Sequence, residues 1–314
     1  MTLYSSTKVV ESIAAYKASG REGNLCPPQS GALAFLMPIE IPLRCETAST
    51  WGSWQTLLRL YDDSTGAPQG GLSLKHSATT SEDRILTYID GFDSKISGGV
   101  RKGHVVLLAG TPGTMKSSIA LNLLYNNVRK NDLSALYVSI EESKESLLEG
   151  MDRLGFGDID ENKFFIVDIG KLRLEHTDAD IGRDWFKILK EYLRKKVENE
   201  GVELIVIDSL TAVYSLTHIQ SPRQELFHFF GFLKRLGVTT FLISETQQNG
   251  SAFGPFHEDY LADGTILLKF VDVGESDVQL RIRAVKMRHS KIHHGYLTLI
   301  FRDGQFMATP PIAE

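Results

Sequence analysis

The sequence predicts an α/β fold: a mostly parallel central sheet with helices on both faces, a C-terminal antiparallel extension and a small N-terminal segment. Three observations predict it. Short apolar runs at 105–109, 135–140, 164–167, 204–207 and 239–244 read as strands buried on both faces. Helical patterns separate most of these runs, which is the alternation that builds parallel sheets. Toward the end, extended segments at 265–271, 279–287 and 296–301 follow one another through short polar connections, as antiparallel strands do.

Composition sets the outer bounds. The chain has 314 residues, 42% hydrophobic and 23% charged, which suits one large globular domain with an appendage. A net charge of −5 and a pI of about 6.0 argue against a dominant nucleic-acid surface. Cys26 and Cys45 lack metal-type spacing and read as free thiols in a reducing compartment. The first residues lack the apolar core of a signal peptide, and no apolar run reaches membrane-spanning length. The expected location is cytoplasmic.

In chain order, residues 1–82 carry no motif with chemistry. Residues 9–17 have helical spacing, Cys26-Pro27-Pro28 and Ser30-Gly31 punctuate a loop, and residues 54–61 read as a short helix. This N-terminal extension is expected either to dock a protein partner or to stabilise the domain formed by residues 83–314.

From residue 83 the pattern sharpens. Ser97-Gly98-Gly99 turns into the strand at 105–109, and Gly110-Thr111-Pro112-Gly113-Thr114-Met115-Lys116-Ser117-Ser118 follows, leading into a helical pattern. Strand, glycine-bearing loop, Lys-Ser and helix form the P-loop arrangement. Successive backbone N–H groups curl around phosphate oxygens, and the positive end of the helix points at the same anion. Lys116 is placed to reach the β- and γ-phosphates, and the Ser117 hydroxyl to complete a Mg²⁺ shell. One position departs from the usual pattern: Met115 stands where glycine normally precedes the lysine. Glycine tolerates unusual dihedrals there, so Met115 predicts altered loop geometry and slow turnover.

The strand at 135–140 ends in Glu141-Glu142, at the sheet edge where open α/β sheets meet their ligands. Residues 185–197 form an amphipathic helix with Phe186, Leu189, Leu193 and Val197 on one side. Leu204-Ile205-Val206-Ile207-Asp208 reads as a Walker B strand, its carboxylate holding Mg²⁺ through the ion's water shell. A helix at 225–236 and the strand at 239–244 complete the parallel set, and the latter runs on into Glu245-Thr246-Gln247.

Together these residues resemble the KaiC-like branch of the RecA superfamily, over roughly 83–307. The marks are Gly91-Phe92-Asp93 with Gly98-Gly99, the Gly-Thr-Pro-Gly-Thr loop, Glu141-Glu142 and Ile207-Asp208-Ser209-Leu210-Thr211. Asp263-Gly264-Thr265 and Val285-Lys286-Met287-Arg288 follow. The resemblance implies a RecA-like ATPase that takes ATP and Mg²⁺. It implies that Glu141, supported by Glu142, orients the attacking water, and that Ser244-Glu245-Thr246-Gln247 senses the γ-phosphate. It also implies that Lys286 and Arg288 reach the nucleotide of a neighbouring subunit, in a ring that is most often a hexamer. Clock members of the family phosphorylate a Ser-Thr pair just before the Asp263 position. Asp259-Tyr260 stands there in this chain, so autokinase activity does not carry over.

The expected function is therefore a ring-forming regulatory or signalling ATPase. Two alternatives stand beside it. A RecA-type recombination or repair ATPase would use Phe253, Phe256 and Tyr260 to stack bases, although the loop 248–260 has no Lys or Arg and carries Glu258-Asp259. A nucleotide-gated scaffold would bind without hydrolysis. His289, His293 and His294 lack acidic or thiol company and read as a solvated turn rather than a metal site.

Overall fold

The computed structural model describes residues 83–171, 185–215, 221–246 and 253–311, and all structural statements below concern these. The N-terminal extension, Gln247 and the beginning of the loop at 248–260 lie outside the described residues.

A ten-stranded sheet dominates. In chain order its strands are β2 (Ile89–Asp90), β4 (Val105–Gly110), β5 (Ala135–Ser139), β6 (Phe164–Asp168), β7 (Leu204–Asp208) and β8 (Thr239–Glu245), then β9 (Gly264–Val273), β10 (Asp277–Met287), β11 (Leu297–Arg302) and β12 (Gln305–Thr309). Across the sheet the order is β2-β12-β11-β10-β9-β4-β8-β7-β5-β6. β1 (Arg84–Ile85) and β3 (Val100–Arg101) pair separately as a short antiparallel ribbon. The strands from β9 through β4 and β8 to β6 run parallel, and β9 to β12 are antiparallel. The expected mixed α/β architecture is therefore present. β12, which closes onto β2 in parallel, extends the sheet beyond the three late strands read from sequence.

β4 is buried along its whole length because it lies between β8 and β9, with helices covering both faces. One face packs against α1 (Lys116–Asn131) and α2 (Lys144–Arg153), sharing a core with Val106, Leu108, Tyr137, Ile243 and Leu268. The other packs against α3 (Trp185–Glu200), α4 (Leu210–Ser215) and α5 (Pro222–Leu236), around Leu107, Val138, Ile205 and Leu242. Alternate residues of each strand thus feed opposite cores. On α3, Phe186, Leu189 and Leu193 are buried as their spacing requires. Phe229 and Phe230 of α5 are almost fully buried, each worth about 2–3 kcal/mol of apolar burial. α5 begins with Pro222 at its first turn and ends at Gly237 in the left-handed region. This construction gathers the C-terminal ends of β4, β5, β7 and β8 at one sheet edge, where the loops carrying chemistry emerge.

Candidate active site

The P-loop connects β4 to α1, and its geometry follows from close contacts. A Cβ on Gly110 would lie 2.6 Å from Thr114 Oγ1 and 2.7 Å from the Leu268 carbonyl oxygen, so no larger residue fits. The buried Thr114 hydroxyl donates to Thr111 O at 2.7 Å, closing the loop on itself. Gly113 has φ +82°. Met115 adopts φ 63° and ψ 25°, the left-handed conformation that glycine supplies without steric cost, and forms the N-cap of α1. Its side chain packs, partly buried, against the core beside α1. The glycine-to-methionine departure thus falls on the loop residue that needs positive φ.

Lys116, Ser117 and Asp208 meet as the motifs predict. Lys116 is buried and its Nζ donates to Thr111 O at 2.9 Å. Burial pulls its pKa below the usual lysine value, while Glu245, Asp208 and Glu141 act in the opposite direction. Ser117 Oγ donates to Asp208 Oδ2 at 2.7 Å, joining the first turn of α1 to the end of β7. The Asp208–Ser209 peptide bond is cis. Beside this pair, Ser209 Oγ donates to Glu141 Oε2 at 3.1 Å.

The two glutamates are held differently. Among the described residues the Glu141 carboxylate is hydrogen-bonded by Ser209 alone, and it lines the cavity with Ser117 and Asp208. Glu142 accepts at Oε1 from Ser146 Oγ at 2.6 Å, and its backbone exchanges hydrogen bonds with Ser139 Oγ. It therefore belongs as much to the start of α2, where Ser143 caps by accepting from Ser146 N at 3.1 Å. Both carboxylates line one cavity of about 440 Å³ with Pro112 to Ser118, Asp208, Ser209, Ile243 and Glu245. Glu141, Glu142, Asp208 and Glu245 thus surround a single ammonium, Lys116. A polyphosphate alone would meet net negative charge there. A hard divalent cation held by hydroxyl and carboxylate oxygens reconciles the two, so this donor set fits Mg²⁺.

Sequence reasoning missed Tyr137. Its side chain is fully buried, and its hydroxyl donates to Asp208 Oδ2, the oxygen that also accepts from Ser117. Burial, then the adjacent Asp208 charge, push its pKa far above the usual phenol value. Nothing in an apolar strand run distinguishes a core tyrosine from one reaching a carboxylate.

The structure does not bring Lys286 and Arg288 into this cavity. They lie at the end of β10, next to a bulge between Ala284 and Lys286. β9 pairs with β4 so that Gly264 faces Val106 and Leu268 faces Gly110. The pair therefore sits at the far end of β4 from the P-loop, roughly 13 Å along the strand. Lys286 Nζ donates to the carbonyls of Asp259 and Ala262 at 2.8 and 2.7 Å. Arg288 Nη1 donates to Asp263 Oδ1 at 2.9 Å, which also receives Lys234 Nζ at 2.8 Å, while Val105 N donates to Oδ2 at 3.2 Å. They are built into a network, not free surface charges.

The remaining sequence candidates separate. Ser244 is buried and donates to Phe253 O at 2.9 Å, Glu245 lines the cavity, and Thr246 N donates to Gly110 O at 3.1 Å. In the loop before β9, Phe256 packs against Tyr214, and Glu258 is fully buried, accepting from the Tyr214 hydroxyl. Tyr260 is exposed, whereas Phe256 is only partly so. Phe253 is half-buried as well. Among the described residues no cluster of His, Cys, Asp and Glu could hold a metal by itself, and no helix is long and apolar enough to cross a membrane.

Comparison with known proteins places the chain in a family. The family model described as "ATPase: KaiC" matches residues 85–306. A circadian clock oscillator protein KaiC from Rippkaea orientalis is 31% identical over 221 residues, covering 66% of this chain and 41% of that protein. A UPF0273 protein from Sulfurisphaera tokodaii is 31% identical over 218 residues, covering 67% of this chain and 76% of its own. The chain therefore spans less than half the length of the clock relatives, 41% and 46% for the proteins of Rippkaea orientalis and a Picosynechococcus species. The crystal structure of a KaiC-like protein from Pyrococcus horikoshii shares the fold, with a TM-score of 0.62, 23% identity, 72% of this chain and 99% of that chain covered. With a family model that matches residues 85–306, most of its length, the chain belongs to the KaiC family of ATPases.

Proposed function

We propose that this protein is a Mg²⁺-dependent ATPase that works as a ring, most simply a hexamer, in the cytoplasm, and that its nucleotide state signals to a partner protein. The observation that carries the catalytic part is the Ser117–Asp208 hydrogen bond at 2.7 Å with Glu141 beside it. It joins P-loop, strand end and candidate base in one cavity. Mg²⁺, held by Ser117 and through water by Asp208, would neutralise phosphate charge as the leaving group departs. The chain's own groups do the rest. P-loop amides and Lys116 hold the β- and γ-phosphates, and Glu141 orients a water and takes its proton. The water oxygen bonds to the γ-phosphorus while the bond to the β–γ bridging oxygen breaks, giving ADP and phosphate.

The ring rests on the family resemblance. Lys286 and Arg288 stand too far along β4 to serve their own P-loop, so a role for them at phosphate requires a second copy. On this reading residues 83–314 form the ATPase domain and residues 1–82 offer the partner contact. Met115 makes turnover slow, and Asp259-Tyr260 leaves no hydroxyl pair for autophosphorylation.

The test is phosphate release from ATP with Mg²⁺. Glu141→Gln should lower release at least 100-fold with ATP still bound, the range that general-base loss covers, and Glu142→Gln should lower it less than about 10-fold. Mixing Glu141→Gln subunits with Lys286→Ala/Arg288→Ala subunits should restore part of the rate, because some boundaries regain both halves. Full activity of Lys286→Ala/Arg288→Ala alone would sink the shared site. No release from wild type, with nucleotide bound, would leave a nucleotide-gated scaffold.

A further inference from the structure

We propose that Tyr137 is a positioning residue that holds the Asp208 carboxylate in the orientation needed to meet a hydrated divalent cation; the inference rests on reading Ser117 and Asp208 as the magnesium-holding pair. Tyr137 lies mid-strand in β5, opposite Val206 of β7, while Ser139 lies opposite Asp208. Side chains two apart on a strand share a face, so the ring of Tyr137 lies one pleat beneath the cavity floor. Its ring is packed in the core shared with α1, with no exposed surface. Only the hydroxyl reaches upward, to Asp208 Oδ2.

That oxygen is filled from two sides. Ser117 donates to it from α1 at 2.7 Å, and Tyr137 donates from the sheet. A carboxylate has about four lone-pair sites over two oxygens, so two donors occupy Oδ2. Asp208 Oδ1 receives no hydrogen bond from a described residue and is left for the cavity. The two donors differ in stiffness. Ser117 sits in the first turn of α1, directly after the loop that has to admit phosphates. Tyr137 belongs to a strand paired on both sides, with β6 and β7, and keeps its position when the loop adjusts. A phenylalanine would fill the same volume, so packing does not require the oxygen.

The test uses full-length Tyr137→Phe, Asp208→Asn and the double variant. Mn²⁺ binding is followed by electron paramagnetic resonance with ADP present, and ADP binding without divalent cation by calorimetry. For Tyr137→Phe, Mn²⁺ affinity should fall about 10-fold or more, the usual consequence of losing an outer hydrogen bond to a metal-holding group. Cation-free ADP affinity should stay at the wild-type value. In the Asp208→Asn background, Tyr137→Phe should add nothing further. Unchanged Mn²⁺ affinity in Tyr137→Phe, alongside a loss in Asp208→Asn, would overturn the inference and leave the metal site standing. Unchanged affinity in Asp208→Asn would overturn the metal site itself. An equal fall in cation-free ADP affinity for Tyr137→Phe would show that the hydroxyl serves loop packing and would also overturn the inference.

Discussion

Replacing Met115 by glycine and by alanine should give an inverted stability order. Met115 has φ 63° and ψ 25° at the N-cap of α1. An L-residue in that conformation carries a cost of about 1–2 kcal/mol that glycine avoids. Glycine adds unfolded-chain freedom worth about 0.4–1 kcal/mol. Both substitutions discard the same partly buried side chain packed against the core, so that loss cancels in the comparison. Met115→Gly should therefore be more stable than Met115→Ala by about 0.5–1 kcal/mol, although alanine exceeds glycine by about 1 kcal/mol inside helices. Equilibrium urea unfolding followed by far-ultraviolet circular dichroism measures it, as a midpoint difference of roughly 0.3 M. A midpoint for Met115→Ala equal to or above that of Met115→Gly would refute the reasoning, since the loop would then not depend on the left-handed conformation.

Further outcomes follow from single contacts. Gly110→Ala would place a methyl 2.7 Å from the Leu268 carbonyl oxygen, a backbone atom that cannot rotate away. It should destabilise by about 1–3 kcal/mol and weaken binding of a fluorescent ATP analogue at least 10-fold; wild-type binding would show that β4 and β9 separate easily. Ser143→Ala removes the α2 cap and should cost about 1 kcal/mol, while phosphate release stays within a few-fold because Glu141 is held by Ser209. His104 has its pKa lowered from 6.5, by burial first, with Arg101, His289 and Lys234 adding to it and Asp263 opposing. Below pH 6.5 the unfolded chain takes up this proton before the folded one does, so stability falls as the pH drops from there toward the lowered folded value. Unfolding midpoints measured between pH 5 and 8 should show that slope, and His104→Gln should flatten it.

Much of this protein was legible from residue order. The P-loop, the Asp208 strand end and the Glu141-Glu142 pair are local patterns, each specified within a few residues by a buried strand and the loop that leaves it. The parallel strands were readable because burial on both faces requires continuous apolar runs, as in β4 and β7. β12 was harder to see. Its sequence, Gln305–Thr309, alternates weakly and becomes a strand by pairing with β11 and with the distant β2.

What only the tertiary structure decided are relations between residues far apart in the chain. Met115 could be recognised as a departure from sequence, but its positive φ is imposed by the turn between β4 and α1. Lys286 and Arg288 could be picked out from sequence as a mark of the family resemblance. That they sit at the opposite end of β4 from the P-loop, tied to Asp259, Ala262 and Asp263, depends on the register of β9 and β10. Glu141 and Glu142 are neighbours of the same chemistry, yet one turns to Ser209 and the other to the start of α2. Tyr137 was one more apolar position until β5 and β7 came into register and set its hydroxyl beneath Asp208. Local sequence determines which backbone conformations are accessible; the pairing of distant strands determines which side chains share a cavity.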